Sequence, residues 1–176
     1  MTLAIGDKAP DFELPGVDGK NHSLADFADK PALVVIWSCN HCPTVKAYEE
    51  RMVALRRDYA DQGAQVVAIS SNDVNRYPDD SFDHMVKRAA DKGFGFPYLY
   101  DESQQVARAY GPAVTPEVFL FDRERKLVYR GRIDDNADNP AAVRKHDLRD
   151  ALDQLLAGRP IAIAQTNPVG CSVKWR

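Results

Sequence analysis

The sequence predicts an α/β fold in which a central mixed β-sheet is flanked by helices, and three observations predict it. Residues 32–37 (A-L-V-V-I-W) and 65–70 (Q-V-V-A-I-S) are short, nearly all-apolar runs rich in β-branched residues. Such runs mark strands covered on both faces. Between them Val45, Tyr48, Met52, Leu55 and Tyr59 recur at steps of three and four, one face of an amphipathic helix of about four turns. Strands separated by helices imply right-handed crossovers and parallel pairing. Late in the chain, residues 117–121 (E-V-F-L-F) and 126–129 (K-L-V-Y) face each other across D-R-E-R as a hairpin, which adds antiparallel strands.

The remaining elements follow in order. Gly63 ends the first helix, as a C-terminal glycine does. Residues 72–81 (N-D-V-N-R-Y-P-D-D-S) read as an ordered loop. Phe82, Met85, Val86 and Ala89 form a second helical face that closes near Gly93. Residues 97–100 are a short strand and 104–110 a short helix. The charged stretch R-G-R-I-D-D-N, residues 130–136, reads as a turn. Asn139 followed by Pro140 predicts an N-cap and a first helical position. Val143, Leu148, Leu152 and Leu155 carry that last helix to Gly158 and Pro160, and the tail, 159–176, has no clear period. No internal repeat or low-complexity tract interrupts this order. We therefore expect one domain, residues 1–176, with its core over about 5–157 and the tail packed on it.

Composition removes several classes. Apolar residues make up 44% and charged residues 28% of the 176, which is ordinary for a globular protein. The net charge of −3 and the lack of any Lys/Arg stripe point away from nucleic acid. No apolar run approaches the roughly 20 residues of a membrane span, so no membrane partner is expected. The stretch M-T-L-A-I-G-D-K-A-P-D has neither a basic nor a long apolar region, and three cysteines do not make a disulfide framework. A cytoplasmic protein is the expectation. Oligomeric state is not legible.

The chemistry is concentrated at residues 38–43, S-C-N-H-C-P. A strand that ends in C-x-x-C and runs into a helix sets Cys39 at or just before the helix N-terminus. Orphan N–H groups and the macrodipole there favour a thiolate, the nucleophile of disulfide exchange. Cys39 is the expected nucleophile; Cys42, three positions on and more buried, is placed to resolve the mixed disulfide. Asn40 and His41 tune the pair: an imidazolium beside a thiolate stabilises the reduced form and makes the disulfide the stronger oxidant. Pro43 suits the first turn of the helix. A zinc site would need two more ligands; Cys171, His22, His41, His84 and His146 offer no paired spacing, so no metal is expected. Two unrelated buried thiols are the remaining bland reading.

Downstream, V-T-P-E places Pro116 directly before a strand. A trans proline that starts the strand and a cis proline are both open readings. In the cis geometry the Thr115 backbone could pair with an extended substrate beside the cysteines. Cys171 reads first as a small apolar residue of the packed tail and second as a third redox centre. Trp37 reads as core, Trp175 as a candidate to flank the site, and Lys46, Glu49, Glu50, His22, His84 and His146 as solvated surface.

The order I-G-D-K-A-P-D-F-E-L-P-G-V-D-G-K, L-A-D-F, a buried strand, C-N-H-C-P and V-T-P-E resembles the thioredoxin-like superfamily. More narrowly it resembles the redoxin branch that joins alkyl hydroperoxide reductase and thiol-specific antioxidant (AhpC/TSA) domains with thiol-disulfide oxidoreductases. The stretch C-N-H-C-P-T-V-K with a closing G-C-S-V-K-W is similar to a subgroup of small bacterial members. The resemblance spans about residues 5–157. It implies a thioredoxin-like fold with an N-terminal β-hairpin extension and an insertion before the second half of the sheet. It further implies Cys39–Cys42 as the redox pair and Thr115–Pro116 as the cis-proline loop facing it. Two departures stand out. Ser38, not tryptophan, precedes the first cysteine, and the peroxiredoxin pattern P-x-x-x-T/S-x-x-C is missing, since Ile36 and Cys39 occupy the positions three before Cys39 and Cys42.

The expected activity is thiol-disulfide exchange with protein or small-molecule disulfides and thiols, needing no cofactor. The alternative is a peroxiredoxin-like peroxidase that uses the same cysteines. A third possibility, of another class, is a non-catalytic binding or zinc-held module.

Overall fold

The computed structural model describes residues 2–176. The chain enters through a hairpin of β1 (Glu13–Pro15) and β2 (Asn21–Ser23), with Glu13 opposite Ser23. There follow β3 (Ala32–Ser38), α1 (Pro43–Tyr59), β4 (Ala64–Ser70), α2 (Phe82–Lys92), β5 (Tyr98–Tyr100) and α3 (Gln105–Tyr110). The second half holds β6 (Val114–Thr115), β7 (Glu117–Phe121), β8 (Leu127–Gly131), α4 (Asp147–Leu156) and β9 (Cys171–Ser172). Five strands form the main sheet in the order β5-β4-β3-β7-β8. β3, β4 and β5 are parallel; β7 and β8 join antiparallel. This is the mixed sheet of a thioredoxin-like fold, with the N-terminal hairpin as its extension.

β3 lies at the centre, and all seven of its residues are buried. Alternation sends Val34 and Ile36 to one face, where Tyr48, Met52 and Leu55 of α1, Met85 of α2 and Leu148 and Leu152 of α4 meet them. Leu33, Val35 and Trp37 point to the other face, against Ala107 and Tyr110 of α3 and the N-terminal Phe12 and Leu14. Burying each such side chain is worth about 1.5–3 kcal/mol, so both faces of the run contribute and neither tolerates charge. A 3-10 turn after α1 closes at Gly63, whose φ of +89° suits glycine and whose Cβ position would meet the Pro31 ring at 2.8 Å. No helix among the described residues is long and apolar enough to cross a membrane.

Three expectations need correction. Asn139 caps a single 3-10 turn, Pro140–Ala142, not the last helix, which begins at Asp147. Asp135 holds the intervening chain out of a helix: its carboxylate accepts the Arg144 N–H at 2.9 Å and its own N–H donates to the Lys145 carbonyl at 3.2 Å. Val86, assigned to the buried face of α2, is 39% exposed. Glu49, expected on the surface, is buried in α1 and clamped by the Arg88 guanidinium of α2.

The stretch after β8 is more than a turn. Arg132 pairs with Asp147 at 2.7 Å, and buried Asp134 accepts from Tyr48 and Arg51, both at 2.8 Å. Those contacts tie α1 and α4 to the end of the sheet.

Candidate redox site

β3 ends at Ser38, and α1 starts at Pro43 with Cys42 as its N-cap, so the C-x-x-C turn caps the sheet's carboxyl edge. The antiparallel register of β3 with β7 sets Trp37 opposite Glu117, which brings the preceding loop over the cysteines. That loop contains a cis Thr115–Pro116 peptide bond. The Glu117 carboxylate props it up from below, accepting the Ala113 N–H at 2.9 Å. Thr115 Oγ1 lies 3.6 Å from Cys39 Sγ and the Thr115 carbonyl oxygen 3.5 Å from Cys42 Sγ. Both cysteines are free thiols and essentially inaccessible, 1% and 0% exposed. Trp37 is core, its ring 5.4 Å from that of Tyr110.

Sequence reasoning missed the residue that organises this turn. Asp80, fully buried, comes from the 3-10 turn Pro78–Asp80 in the loop after β4. Its Oδ1 accepts the N–H groups of Asn40 (2.7 Å) and His41 (3.1 Å), and its Oδ2 accepts the Asn72 amide at 3.0 Å. The same Oδ2 is hydrogen-bonded to His41 Nδ1. Asn40 is fixed in turn: its amide donates to the Asp79 carbonyl at 2.9 Å and its Oδ1 accepts from Tyr98 at 2.8 Å. The His41 ring stacks on Tyr77, centroids 5.2 Å apart. The polar run 72–81 contained Asn72, Tyr77, Asp79 and Asp80, but polarity alone marks a loop, and nothing local says which carboxylate will be buried.

Electrostatics distinguish the two sulfurs. Cys42 is lowered to about 4, first by its hydrogen bond with the Cys39 thiol, against the opposing cost of burial. The Cys171 thiol and the Val45 and Cys171 backbone N–H groups add to the lowering. Cys39 is pushed up, first by the hydrogen bond with Cys42, then by burial and the Asp80 carboxylate. The two thiols share a proton, and the balance of donors around them favours the anion on Cys42 over Cys39. The sequence expectation put the thiolate on Cys39; the helix terminus falls three residues on, with Cys42 as N-cap and the Val45 N–H among the groups that lower it. His41 is engaged with Asp80, whereas the sequence reading had it as a cation beside a Cys39 thiolate.

One donor set could be asked to hold a metal. Cys39, His41 and Asp80 offer ligand atoms within 4.8 Å of one another. His41 Nδ1 and both Asp80 oxygens are already bonded to each other and to amide donors, so a cation would have to dismantle the turn. His22, His84 and His146 lie elsewhere: His22 pairs with Asp18, His84 bonds Ser81 and His146 precedes α4. A cavity of about 640 Å³ between α1 and α4 has no cysteine in its lining. A smaller cleft of about 230 Å³ adjoins the site and is lined by His41, Lys46, His84 and Lys87 among others.

The substrate edge expected at Thr115 is already filled. β9 pairs antiparallel with β6, with Thr115 opposite Cys171 and Val114 opposite Ser172. Cys171 packs against the cluster of Cys39, Cys42 and Val45. Gly170 permits the approach, since a Cβ there would lie 2.0 Å from the Thr115 carbonyl oxygen. Trp175 does not flank the cysteines; Arg108 stacks over it at 4.9 Å, on the α3 side.

Fold and site together define a thioredoxin-fold protein with a paired-thiol centre. A family model described as the AhpC/TSA family matches residues 5–130, and the chain belongs to that family. It is 28% identical over 127 residues to the thiol-disulfide oxidoreductase ResA of Geobacillus thermodenitrificans, covering 71% of this chain and 67% of the relative. It is 35% identical over 140 residues to MT2597, a Mycobacterium tuberculosis protein whose name places it with the peroxiredoxins, covering 72% and 83%. The crystal structure of SMc02350 from Sinorhizobium meliloti 1021 superposes with a TM-score of 0.94 at 43% identity, covering 100% of this chain and 97% of that one.

Proposed function

We propose that the protein is a thiol-disulfide oxidoreductase that exchanges the Cys39–Cys42 dithiol/disulfide with protein or small-molecule thiols. The observation that carries this is the pairing of two buried sulfurs, one of them at the N-cap of α1, against the Thr115–Pro116 loop. Kinship with a protein named thiol-disulfide oxidoreductase supports it. Two electrons move per cycle through a mixed disulfide, and the pair's potential sets the direction. The scarcity of cysteines supports a reducing, cytoplasmic setting.

A redox titration of the pair in glutathione or dithiothreitol buffers, read by thiol alkylation in the Cys171→Ser variant, tests the proposal. Stabilising the thiolate stabilises the reduced form, so the expected midpoint lies at about −200 to −120 mV, more oxidising than the roughly −270 mV of thioredoxin. Absence of any two-electron transition would remove the proposal.

The kinship with a peroxiredoxin favours one second reading, hydroperoxide reduction by the same cysteines. Ile36 stands where the usual threonine would precede Cys39, and the threonine present comes instead from the facing loop. Rapid peroxide consumption by the reduced protein would reverse the order of the two readings.

A further inference from the structure

We propose that Cys171 relays disulfide exchange between outside thiols or disulfides and the buried Cys39–Cys42 pair, an inference that rests on the redox reading of that pair. The pair cannot be the point of contact in this conformation. In-line attack needs a sulfur that an incoming sulfur can reach, and Cys39 and Cys42 are 1% and 0% exposed. Cys171 is partly exposed and at the same time in contact with Cys42. It therefore stands between solvent and the pair.

Its position is set by several independent contacts. Thr115, whose two oxygens reach the two sulfurs of the pair, is also the register partner of Cys171. Gly170 lets the tail lie directly on the Thr115 carbonyl. Beyond Cys171 the chain is pinned: the Val173 N–H donates to the Ala113 carbonyl at 3.1 Å, and the Lys174 carbonyl accepts the Asp73 N–H at 2.8 Å and the Gln104 amide at 3.0 Å. Lys174 N–H donates to Asn72 Oδ1 at 2.9 Å, and the amide of Asn72 holds Asp80, so tail and redox turn share one anchor.

The exchanges balance as follows for an outside disulfide RS–SR′. The Cys171 thiol, held above its ordinary value by burial and by Cys42, gives its proton to water; its thiolate attacks one sulfur, the RS–SR′ bond breaks, and R′S⁻ departs and takes up that proton. The Cys42 thiolate attacks the Cys171 sulfur of the mixed disulfide and expels RS⁻, forming Cys42–Cys171. Cys39 gives up its proton, its thiolate attacks Cys42, the Cys42–Cys171 bond breaks, and the departing Cys171 sulfur takes up that proton. Two electrons have passed from Cys39 and Cys42 to the substrate, and Cys171 is regenerated. The reverse sequence oxidises an outside dithiol.

The test uses the reduced full chain and oxidised glutathione as the probe, with acid quenching, alkylation and disulfide mapping by mass spectrometry. In the unmodified protein a Cys171–glutathione adduct should precede Cys42–Cys171, which should precede Cys39–Cys42. The Cys39→Ser variant should stop at Cys42–Cys171. The Cys171→Ser variant should form Cys39–Cys42 at least about tenfold more slowly, yet reach that endpoint. An undiminished rate in Cys171→Ser, or a Cys39→Ser variant that keeps glutathione on Cys42 beside a free Cys171, overturns the relay alone. If Cys171→Ser forms no Cys39–Cys42 disulfide even at equilibrium, the redox reading of the pair falls, and the relay falls with it.

Discussion

Thr115 and Cys171 are direct partners across an antiparallel pair, and this places the tail where an extended substrate would otherwise lie against the cis-proline loop. The contact is tight: a Cβ on Gly170 would stand 2.0 Å from the Thr115 carbonyl oxygen and 2.7 Å from its carbon. Because that atom belongs to backbone, it cannot swing aside.

Gly170→Ala should therefore lift the tail off Thr115. We expect a loss of about 1–3 kcal/mol in denaturant unfolding and faster alkylation of Cys39 and Cys42 in the folded protein. Alkylation no faster than in the parent protein would show that something other than the tail shields the pair.

The thiolate on Cys42 has a pH signature. Its value falls from the ordinary 9.0 to about 4, so the reduced pair should release one proton near pH 4, visible as ultraviolet thiolate absorbance. Stability follows with a definite sign. A depressed value stabilises the folded form where the unfolded group is ionised, so the contribution is complete above about pH 9, declines as pH falls, and is gone below about pH 4. The stability difference between the reduced protein and Cys42→Ser should widen as pH rises across that window. The midpoint potential should change slope from about 59 to about 30 mV per pH unit as pH rises through the Cys42 value, because one thiol proton drops out of the half-reaction. Cys39→Ser, which removes the largest cause of the lowering, should raise the Cys42 transition. A transition unmoved in Cys39→Ser and abolished in Cys171→Ser would assign the lowering to Cys171 instead.

Asp80→Asn keeps the shape and replaces one acceptor oxygen with a donor facing N–H groups. It should destabilise the protein by about 1–3 kcal/mol, since buried donors lose their partner. It should also lower the Cys39 thiol, because the carboxylate beside it is one cause of its elevation. Chemical denaturation and the pH dependence of Cys39 alkylation in a Cys42→Ser background read the two effects separately.

The clamp between α1 and α2 gives a fourth test. Arg88→Leu leaves the Glu49 carboxylate buried without its partner and should cost up to about 3 kcal/mol, while Glu49→Gln with Arg88→Leu should recover much of it. Additive losses in that cycle would mean that the two residues act independently.

The sequence by itself determined the elements whose signal is local. The apolar run of β3, the 3- and 4-spaced face of α1 and the hairpin of β7 and β8 are written in neighbouring residues, because periodic burial repeats along each segment. The C-x-x-C turn was legible for the same reason: strand, turn and helix adjoin in the chain. Residues 139–146 misled because Asn-Pro signals a cap whatever follows it, and Asp135, not the cap, decides where α4 starts. Tertiary structure alone decided what surrounds the sulfurs. Asp80 lies 41 residues from Cys39 in sequence and Cys171 lies 129 residues from Cys42, and no local pattern encodes which of several carboxylates or thiols will be carried to one point. That choice depends on strand register, on a glycine that permits close approach, and on buried hydrogen bonds that favour one arrangement, and these exist only once the sheet has formed.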